Sequence, residues 1–451
     1  MPRDKCCPYS NVPFNANIRL MPRDTVDEST SDRRPLVAVG YGPRCVPVMQ
    51  LTEAAAGICE LLWMIDGTLP EMRQMTELLH RFGPVVDVGG LSVDQILGEL
   101  SAPYGPDGIV TYLDAGMSTF ALVVQKLGLP FHSLATSIAL TDKAEQRRIL
   151  KDAGLFTPPC AVIAPDGTDK AIVAIGSEIG WPAVLKPRSA QGSRYTFFVE
   201  DESQLFDFLR NLGPERPEMV LEGYLADDPS RASEPYADYV SVESIVAGGV
   251  ISHLAVTGRF PLAENFRETG FFIPAALNEA DQADVLDLAS SAIKALGVTI
   301  GCLHSEIKFT PDGPQVIEVN GRVGGGVPEM LNRAADVALV EMTLRLALGD
   351  AVKVKGPVST ERIGYRFFLQ PPPVSATVAA IDGIDAVSDH PGVDTITVHQ
   401  GSGAVLDWKD GSRNHIMAVV GSANDYEELQ DIHQLLLHEV TVTYTNVSHD
   451  G

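Results

Sequence analysis

Alternating apolar and polar residues predict a β-hairpin in the last third of the chain, over residues 302–322. With a three-residue loop at 311–313, Thr310 faces Pro314, and successive side chains point to opposite faces. One face is apolar and consists of Leu303, Ile307, Phe309, Ile317 and Val319. The other face is polar, and its cross-strand pairs are Glu306 with Glu318, His304 with Asn320, Cys302 with Arg322, and Lys308 with Val316.

The two opposed glutamates on the polar face need a compensating charge. Like charges directly opposite each other destabilise a sheet. Mg²⁺ relieves that repulsion, since it is usually held by one or two carboxylates together with substrate phosphates. Glutamates that splay into water are the alternative interpretation. The metal interpretation depends on the loop length, because a slip of one residue would move Glu306 to the other face.

The same patterns predict an α/β fold class, with α+β character in the central part of the chain. Residues 1–35 are predicted to be a flexible N-terminal extension that carries Cys6, Cys7 and the motif MPRD twice. Residues 36–140 alternate strand and helix patterns, as a parallel α/β domain does. A further unit is predicted to begin at the LFTPP segment, residues 155–159, and the last hundred residues predict strands interrupted by prolines, then an amphipathic helix and a final strand. The Gly40-Tyr41-Gly42 turn lacks the third glycine of a dinucleotide site, so a tight strand-to-helix turn is the preferred interpretation.

Charge and composition narrow the possible partners and the compartment. The net charge of −25 argues against nucleic acid and against an anionic membrane surface. No apolar run approaches the roughly 20 residues that span a bilayer, and residues 1–35 lack the apolar core of a signal peptide. The six cysteines form no CxxC pair, which is typical of reduced thiols. A cytoplasmic protein is therefore expected.

Two lysines stand where a phosphate group could be bound. Lys143 follows Asp142, whose spacing to Glu145 is that of a helix capping box. Lys186 ends an apolar strand, a position in which lysine is seldom buried without an anionic partner. The small-residue loop at 188–196 then offers main-chain N–H groups that can hold phosphate oxygens. An exposed hairpin whose lysine extends into solvent is the alternative.

Five motifs in this order resemble the ATP-grasp superfamily of ADP-forming ligases. They are Lys143 before a capped helix, Lys186-Pro187 before the small-residue loop, LEGYL, DYVSVE, and HSEIKF followed by VIEVNGR. The chain is most similar to the L-amino-acid and peptide ligases of antibiotic biosynthesis, of the bacilysin and pheganomycin type, over about residues 36–440. The resemblance implies an ATP-grasp fold, in which 36–140 is the Rossmann-like pre-ATP-grasp domain, 141–350 the ATP-grasp domain, 157–222 its lid and 351–451 a C-terminal α/β subdomain.

The resemblance also implies how the chain would bind ATP. Lys143 and Lys186 would contact the phosphates, and the 188–196 loop, including Ser189, Gly192 and Ser193, would close over them. Main-chain groups of Glu222 and Leu225 would contact the adenine edge. Either Asp238 or Glu243 would face the ribose.

The metal and substrate residues follow from the same motifs. Glu306, Glu318 and Asn320 would bind Mg²⁺, with Mn²⁺ as an alternative. Arg322 would hold the reacting carboxylate and its acyl phosphate, and it forms the predicted catalytic set together with Lys186 and Glu318. Glu268 would receive a substrate ammonium group, and Arg259 belongs to the same substrate-facing segment. His304 is a candidate general base, although a structural histidine beside the metal is the preferred interpretation.

The implied reaction is ATP-dependent formation of an amide between a carboxylate and an amine, with release of ADP and phosphate. Amino acids or peptides would be the substrates, in peptide natural-product biosynthesis. The alternatives are an ATP-grasp carboxylase, a ligase for another kind of amine, or an inactive nucleotide-binding regulator. The C-terminal subdomain shows no chemistry of its own, and its expected roles are packing, closure of the substrate pocket, or a homodimer contact.

Overall fold

The structure is a computed structural model, which describes residues 18–20, 33–43, 45–231 and 235–448. Most of the predicted N-terminal extension, including both MPRD motifs and Cys6-Cys7, lies outside the described residues. Within that extension, Ile18–Leu20 (β1) pairs antiparallel with Val352–Val354. Among the described residues, no helix is long and apolar enough to cross a membrane.

The first unit is a parallel four-stranded sheet with helices packed against it. Its two central strands are apolar runs in which both faces are covered, as is typical of parallel sheets. The strands are Leu36–Gly40 (β2), Glu60–Ile65 (β3), Val85–Asp87 (β4) and Gly108–Thr111 (β5). Their order is β4-β3-β2-β5. The helices are Val48–Ala55 (α1), Pro70–Leu79 (α2), Val93–Ser101 (α3), Met117–Leu127 (α4) and Leu134–Thr141 (α5).

A second, antiparallel sheet follows the helix Lys143–Asp152 (α6). Asp142 caps this helix by accepting from the main-chain N–H groups of Ala144 and Glu145. The sheet strands are Cys160–Ile163 (β6), Ala183–Pro187 (β7), Phe197–Val199 (β8) and Met219–Gly223 (β9), in the order β6-β9-β7-β8. Two helices pack on it, Asp169–Ile179 (α7) and Glu202–Leu212 (α8).

The largest sheet has eight antiparallel strands and crosses the predicted domain boundary at residue 350. Five of the strands precede that boundary: Tyr239–Ala247 (β10), Val250–Arg259 (β11), Gly270–Ile273 (β12), Gly301–Thr310 (β13) and Gly313–Asn320 (β14). Helix Glu279–Ala295 (α9) lies between β12 and β13, and helices Val327–Ala335 (α10) and Leu339–Ala347 (α11) lie between β14 and the short strand Val352–Val354 (β15). The other three strands are Ile363–Leu369 (β16), Val393–Val398 (β18) and Met417–Ala423 (β20), and the sheet order is β14-β13-β10-β11-β12-β16-β20-β18.

Among the described residues, the remaining C-terminal elements are two helices, both of which pack on strands of this sheet, three strands and a 3₁₀ segment. They are Ser375–Asp382 (β17), Ile384–Ser388 (α12), Val405–Leu406 (β19), a 3₁₀ segment at Trp408–Asn414, Tyr426–Glu439 (α13) and Thr441–Ser448 (β21). Strands β19, β17 and β21 form a small sheet in that order. Because β16, β18 and β20 belong to the eight-stranded sheet, the C-terminal part of the chain extends that sheet directly.

The turn of the hairpin β13–β14 is tighter than predicted. Thr310 pairs with Gly313, so the loop has two residues and not three. Lys308 consequently lies opposite Gln315. The predicted partner of Lys308, Val316, is 1% exposed and belongs to the core.

A β-bulge then restores the predicted register. Glu306 faces Glu318 while the next residue, Ile307, faces Val316, which leaves Ile317 as the extra residue. The pairing of the two glutamates is confirmed, and so is that of His304 with Asn320. Ile317 was predicted on the apolar face, but the bulge turns it toward the cavity described below.

Candidate functional site

A cavity of about 760 Å³ lies between the second sheet and the polar face of the large sheet. Its walls come from five parts of the chain: the start of α6, the loop after β7, the turn after β9, the segment after β11, and the hairpin β13–β14. The predicted site residues in these walls are Lys143, Lys186, Gly192, Ser193, Glu222, Leu225, Asp238, Glu268, Glu306 and Glu318. Since these segments are far apart in sequence, the fold is what brings their charges together.

Lys143 links the helix α6 to the polar face of the hairpin β13–β14. Its ammonium group lies 3.2 Å from a carboxylate oxygen of Glu318 and donates to the main-chain oxygen of Ala190 at 2.8 Å. Both side chains are mostly buried, with 10% and 19% of the side-chain surface exposed. A cation therefore stands at the junction of the small-residue loop and the paired glutamates, where an incoming phosphate group would meet it.

Lys186 is paired with Glu222, and a residue that the sequence analysis missed completes this group. The Lys186 ammonium lies 2.7 Å from Glu222, whose other contacts are to Arg147 at 3.1 and 3.2 Å. Burial alone would raise the pKa of Glu222, but the charges of Arg147 and Lys186 outweigh it and lower that pKa to about 2. Two cations against one carboxylate leave a local excess of positive charge at this point of the cavity wall, which suits an anionic group of a ligand.

Glu306 lies in a buried row of polar side chains that crosses the sheet. His304 Nε2 is 3.4 Å from Glu306, and His304 Nδ1 is 2.9 Å from Glu243. Burial disfavours the charged imidazole, but Glu243 and Glu306 outweigh it and raise the pKa of His304 to about 9. Burial also opposes ionisation of Glu306, yet His304 and two arginines lower its pKa to about 2. With a carboxylate at each ring nitrogen, His304 fits the structural role that the sequence analysis preferred.

The two predicted ribose residues lie in different surroundings. Glu243 is 2% exposed and accepts hydrogen bonds from Ser241 and Thr257 at 2.8 and 2.7 Å in addition to its contact with His304. It does not line the cavity, so the position of Glu243 does not agree with a ribose contact. Asp238 does line the cavity, and Lys308 holds its carboxylate at 2.9 Å.

The loop at 188–196 is attached to several neighbours. Ser189 Oγ donates to Thr141 O at 2.9 Å, and Ser193 Oγ donates to Phe266 O at 2.9 Å. Gly192 and Ser193 have φ values of 69° and 56°, the left-handed region. Non-glycine residues occupy that region rarely, and such strained positions cluster at functional sites.

Arg322 lies just beyond the polar face of the hairpin, two residues after the end of β14. Its Nη2 donates to Asp114 at 3.0 Å and its Nη1 to Val323 O at 3.1 Å, while its Nε has no hydrogen-bond partner among the described residues. Burial lowers the pKa of Arg322, but Asp114 outweighs that effect and raises it. The predicted pairing of Arg322 with Cys302 does not occur, because β14 ends at Asn320. Asp114, at the carboxyl end of β5, was not predicted.

The predicted substrate residues Glu268 and Arg259 contact each other. Arg259 Nε lies 3.2 Å from Glu268, and Arg259 Nη2 donates to Ser241 at 2.9 Å. Arg259 is 2% exposed, whereas 27% of the Glu268 side chain is exposed and lines the cavity. Glu268 is therefore the member of this pair that a ligand in the cavity can touch.

The donor set at the hairpin fits the magnesium ion that the resemblance implies. Among the described residues, no three His, Cys, Asp or Glu side chains are grouped to hold a metal ion. The predicted site instead offers two opposed carboxylates, Glu306 and Glu318, in the cavity wall. The third predicted ligand, Asn320, is 3% exposed, pairs with His304 across the hairpin and does not line the cavity. A pair of carboxylates is characteristic of Mg²⁺, which takes its other ligands from phosphates and water.

Comparison with known proteins gives relatives at low identity. No protein-family model matches the chain. Over 325 residues it is 26% identical to the uncharacterized protein y4rH of Sinorhizobium fredii, covering 70% of this chain and 64% of that relative. It is 24% identical to the L-arginine-specific L-amino acid ligase of Bacillus subtilis, covering 58% and 63%, and 25% identical to the alanine–anticapsin ligase of Bacillus subtilis, covering 52% and 52%. The matched part thus spans less than two thirds of the length of these relatives.

Solved structures show the same fold. An L-amino acid ligase from Bacillus licheniformis superimposes with a TM-score of 0.73 at 20% identity, covering 92% of this chain and 100% of that structure. The biotin carboxylase domain of the Hydrogenobacter thermophilus 2-oxoglutarate carboxylase, solved with MgADP and bicarbonate, gives a TM-score of 0.64 at 17% identity, covering 93% and 92%. The chain has the ATP-grasp fold, and the predicted resemblance to ATP-grasp carboxylate–amine ligases is confirmed.

Proposed function

We propose that this protein, an ATP-grasp ligase by its fold and its relatives, joins a carboxylate to an amine at the expense of ATP. The observation that carries this proposal is the meeting of Lys143, Lys186 and the paired glutamates Glu306 and Glu318 in the walls of one cavity. Amino acid ligases among the relatives support an amino acid or peptide as each substrate. A role in peptide natural-product biosynthesis is part of this proposal and follows from the resemblance of the sequence motifs.

The chemistry requires activation of the acid. A carboxylate is a poor electrophile, so the γ-phosphate of ATP is first transferred to it, giving an acyl phosphate and ADP. The amine then attacks the acyl carbon, and phosphate leaves as the amide forms. Two anions meet in the first step, so the site must supply positive charge. Lys143 and Lys186 supply that charge in the cavity wall.

The residues that bind nucleotide and metal in this proposal come from different elements. Glu306, Glu318 and Asn320 would hold Mg²⁺, or alternatively Mn²⁺, and the bound ion would neutralise charge on the transferring phosphoryl group. Lys143, already 3.2 Å from Glu318, lies where it can contact the same phosphate oxygens. The turn at Glu222–Leu225 would receive the adenine, and Asp238 the ribose. The 188–196 loop would cover the phosphates.

Arg322 and Glu268 would position the substrates. The guanidinium of Arg322 is flat and can hold a carboxylate through two parallel N–H bonds, which a lysine cannot do. Asp114 fixes one edge of that guanidinium at 3.0 Å. The exposed part of Glu268 offers a negative charge to a substrate ammonium group.

A phosphate-release screen tests the proposal. The protein is incubated with MgATP and pairs of amino acids or short peptides, and the product masses and spent nucleotide are then determined. We expect phosphate release that depends on both substrates, a product lighter than their sum by one water, and ADP as the nucleotide product. AMP as the main nucleotide product, or turnover that needs bicarbonate and no amine, would contradict the proposal. No turnover with any pair, despite normal nucleotide binding, would favour the inactive regulator.

A further inference from the structure

The 3₁₀ segment Trp408–Asn414, in the part of the chain without assigned chemistry, touches two walls of the cavity. We propose that Ser412 is a positioning residue that couples the phosphate loop at 188–196 to the substrate segment around Glu268. Nucleotide binding would then order the substrate side of the cavity, and substrate binding would order the nucleotide side. This inference rests on the proposed function of the cavity and assigns a role to the C-terminal subdomain within it.

Main-chain bonds join the segment to the phosphate loop. The N–H of Ser412 donates to Gly192 O at 3.1 Å, and the N–H of Tyr195 donates to Lys409 O at 3.0 Å. These two bonds run in opposite directions between the segments, as in a short stretch of sheet. Two side-chain contacts support them, the ion pair of Arg194 with Asp410 at 3.5 Å and the edge-to-face packing of Trp408 on Phe197 at 6.1 Å.

The hydroxyl of the same serine holds the substrate segment. Ser412 Oγ accepts from the main-chain N–H of Glu268 at 2.9 Å. Gln370 strengthens this junction, because its side-chain amide donates to Glu268 O at 2.5 Å and to Ser412 O at 3.4 Å. Ser412 therefore contacts both walls at once, through its main chain on one side and its side chain on the other. It is 9% exposed, so water competes little for these bonds.

A direct bond between the two walls completes a closed set of contacts. Ser193 Oγ donates to Phe266 O at 2.9 Å. Backbone strain is concentrated at this contact, since Ser193, Tyr195, Asn265 and Phe266 all have φ between 52° and 59°. Such conformations persist only when surrounding contacts hold them in place. The two strained turns therefore stabilise each other, and loosening one is expected to loosen the other.

The approach of the two segments also explains a glycine in the 3₁₀ segment. Gly411 has a φ of 73°, and a Cβ atom there would lie 2.3 Å from Gly192 O. Only glycine allows the main chains to come this close. The glycine at 411 therefore allows the 3₁₀ segment to pack closely against the loop at 188–196 in the conformation observed.

Hydrogen exchange with a non-hydrolysable ATP analogue and Mg²⁺ tests the inference without knowledge of the substrates. In the parent protein, the analogue should slow amide exchange at 188–196 and also at 262–270. In Ser412→Ala, which removes the hydroxyl and keeps the main-chain bond to Gly192, the slowing at 188–196 should remain. The slowing at 262–270 should shrink by about fivefold, the effect expected for the loss of one such hydrogen bond.

Two further variants control for a general loss of structure. Ser412→Thr keeps a hydroxyl and should restore the transmitted slowing. Ser402→Ala removes another hydroxyl of the same subdomain, one that donates to Ala379 O at 2.9 Å, and should behave like the parent. If Ser412→Ala transmits the slowing as well as the parent does, the inference is wrong while the proposed function stands. If the analogue protects no part of 188–196 in the parent, the nucleotide role of the cavity and this inference fall together.

Discussion

Arg147 is expected to be more important for stability than its place on a charged helix suggests. We predict that Arg147→Met destabilises the protein strongly, although methionine keeps an unbranched apolar chain in place of the arginine methylenes. The guanidinium holds Glu222 through two bonds of 3.1 and 3.2 Å and also donates to the main-chain oxygens of Val316 and Ile317 at 3.0 and 2.5 Å. One side chain thereby ties α6 to β9 and to the bulge of the hairpin.

The magnitude follows from the burial of this group. Arg147 and Glu222 are 5% and 3% exposed, and breaking a buried ion pair costs about 3–5 kcal/mol because the remaining charge is left without its partner. Glu222 keeps Lys186 at 2.7 Å, so the expected loss is near the lower figure, about 3 kcal/mol. Lys186 then becomes the main counter-charge of Glu222 and is less available to a phosphate, so nucleotide affinity should fall by about tenfold.

Urea unfolding followed by circular dichroism measures the first effect. With a slope of about 3 kcal/mol per molar urea, the midpoint should fall by about 1 M. The matched control is Arg148→Met, the next residue of the same helix, whose side chain is 58% exposed and pairs with Glu145 and Asp152. That variant should leave the midpoint almost unchanged. Equal midpoints for the two variants would mean that the buried Arg147–Glu222 pair stabilises the protein no more than an exposed ion pair does.

Three other predictions concern the charges and the loop of the cavity. Glu318→Gln should lower ATP turnover by at least about a hundredfold, whereas Arg322→Lys should bind nucleotide almost normally and lose ligation by a similar factor, about 3 kcal/mol. Calorimetry measures nucleotide binding and phosphate release measures turnover, so the two assays distinguish the variants. Normal ligation by Arg322→Lys would contradict the role of Arg322. Because the folded-state pKa of Glu222 is lowered from 4.5 to about 2, its charge stabilises the protein above pH 4.5 by about 3 kcal/mol, and this contribution is lost as the pH falls from 4.5 toward 2. The stability difference between the parent and Glu222→Gln should therefore shrink over that range. A constant difference would contradict a stabilising charge on Glu222. Tryptic cleavage at Arg188 or Arg194 should slow when Mg²⁺ and a non-hydrolysable ATP analogue are added, and an unchanged rate would count against the phosphate role of the loop.

The sequence predicted the paired glutamates correctly in spite of two errors in the hairpin. The loop was one residue shorter than expected, and the bulge at Ile317 added one residue back, so the register beyond the bulge was unchanged. Bulges depend on the partner strand and its packing, and the alternation of side chains cannot reveal one. The positions between the bulge and the turn were consequently assigned to the wrong face, as Val316 shows.

The partners of the site residues could not be predicted, because each contact joins distant parts of the chain. Arg147 lies in the charged sequence KAEQRRILKD, where it looks like an exposed helix residue, and Glu222 is 75 positions away. Arg147 lies three residues before Leu150 and therefore on the same side of the helix, and this spacing was the available sign that Arg147 is buried. Asp114 had a clearer signal, since acidic residues at the carboxyl ends of parallel strands often face a ligand site. Ser412 had none, since its role depends on two segments more than 140 residues earlier.

Transfer of oxygen from the acid substrate to phosphate shows whether the acid is activated as an acyl phosphate in this cavity. Once the phosphate-release screen has identified an acid and an amine, the acid is supplied with both carboxylate oxygens replaced by ¹⁸O, and the released phosphate is analysed by mass spectrometry. If the γ-phosphate is transferred to the carboxylate, one labelled oxygen leaves with the phosphate and the other stays in the amide. We therefore expect phosphate that carries one ¹⁸O per amide formed. Unlabelled phosphate in the presence of product would contradict the acyl-phosphate route and the role assigned to this cavity.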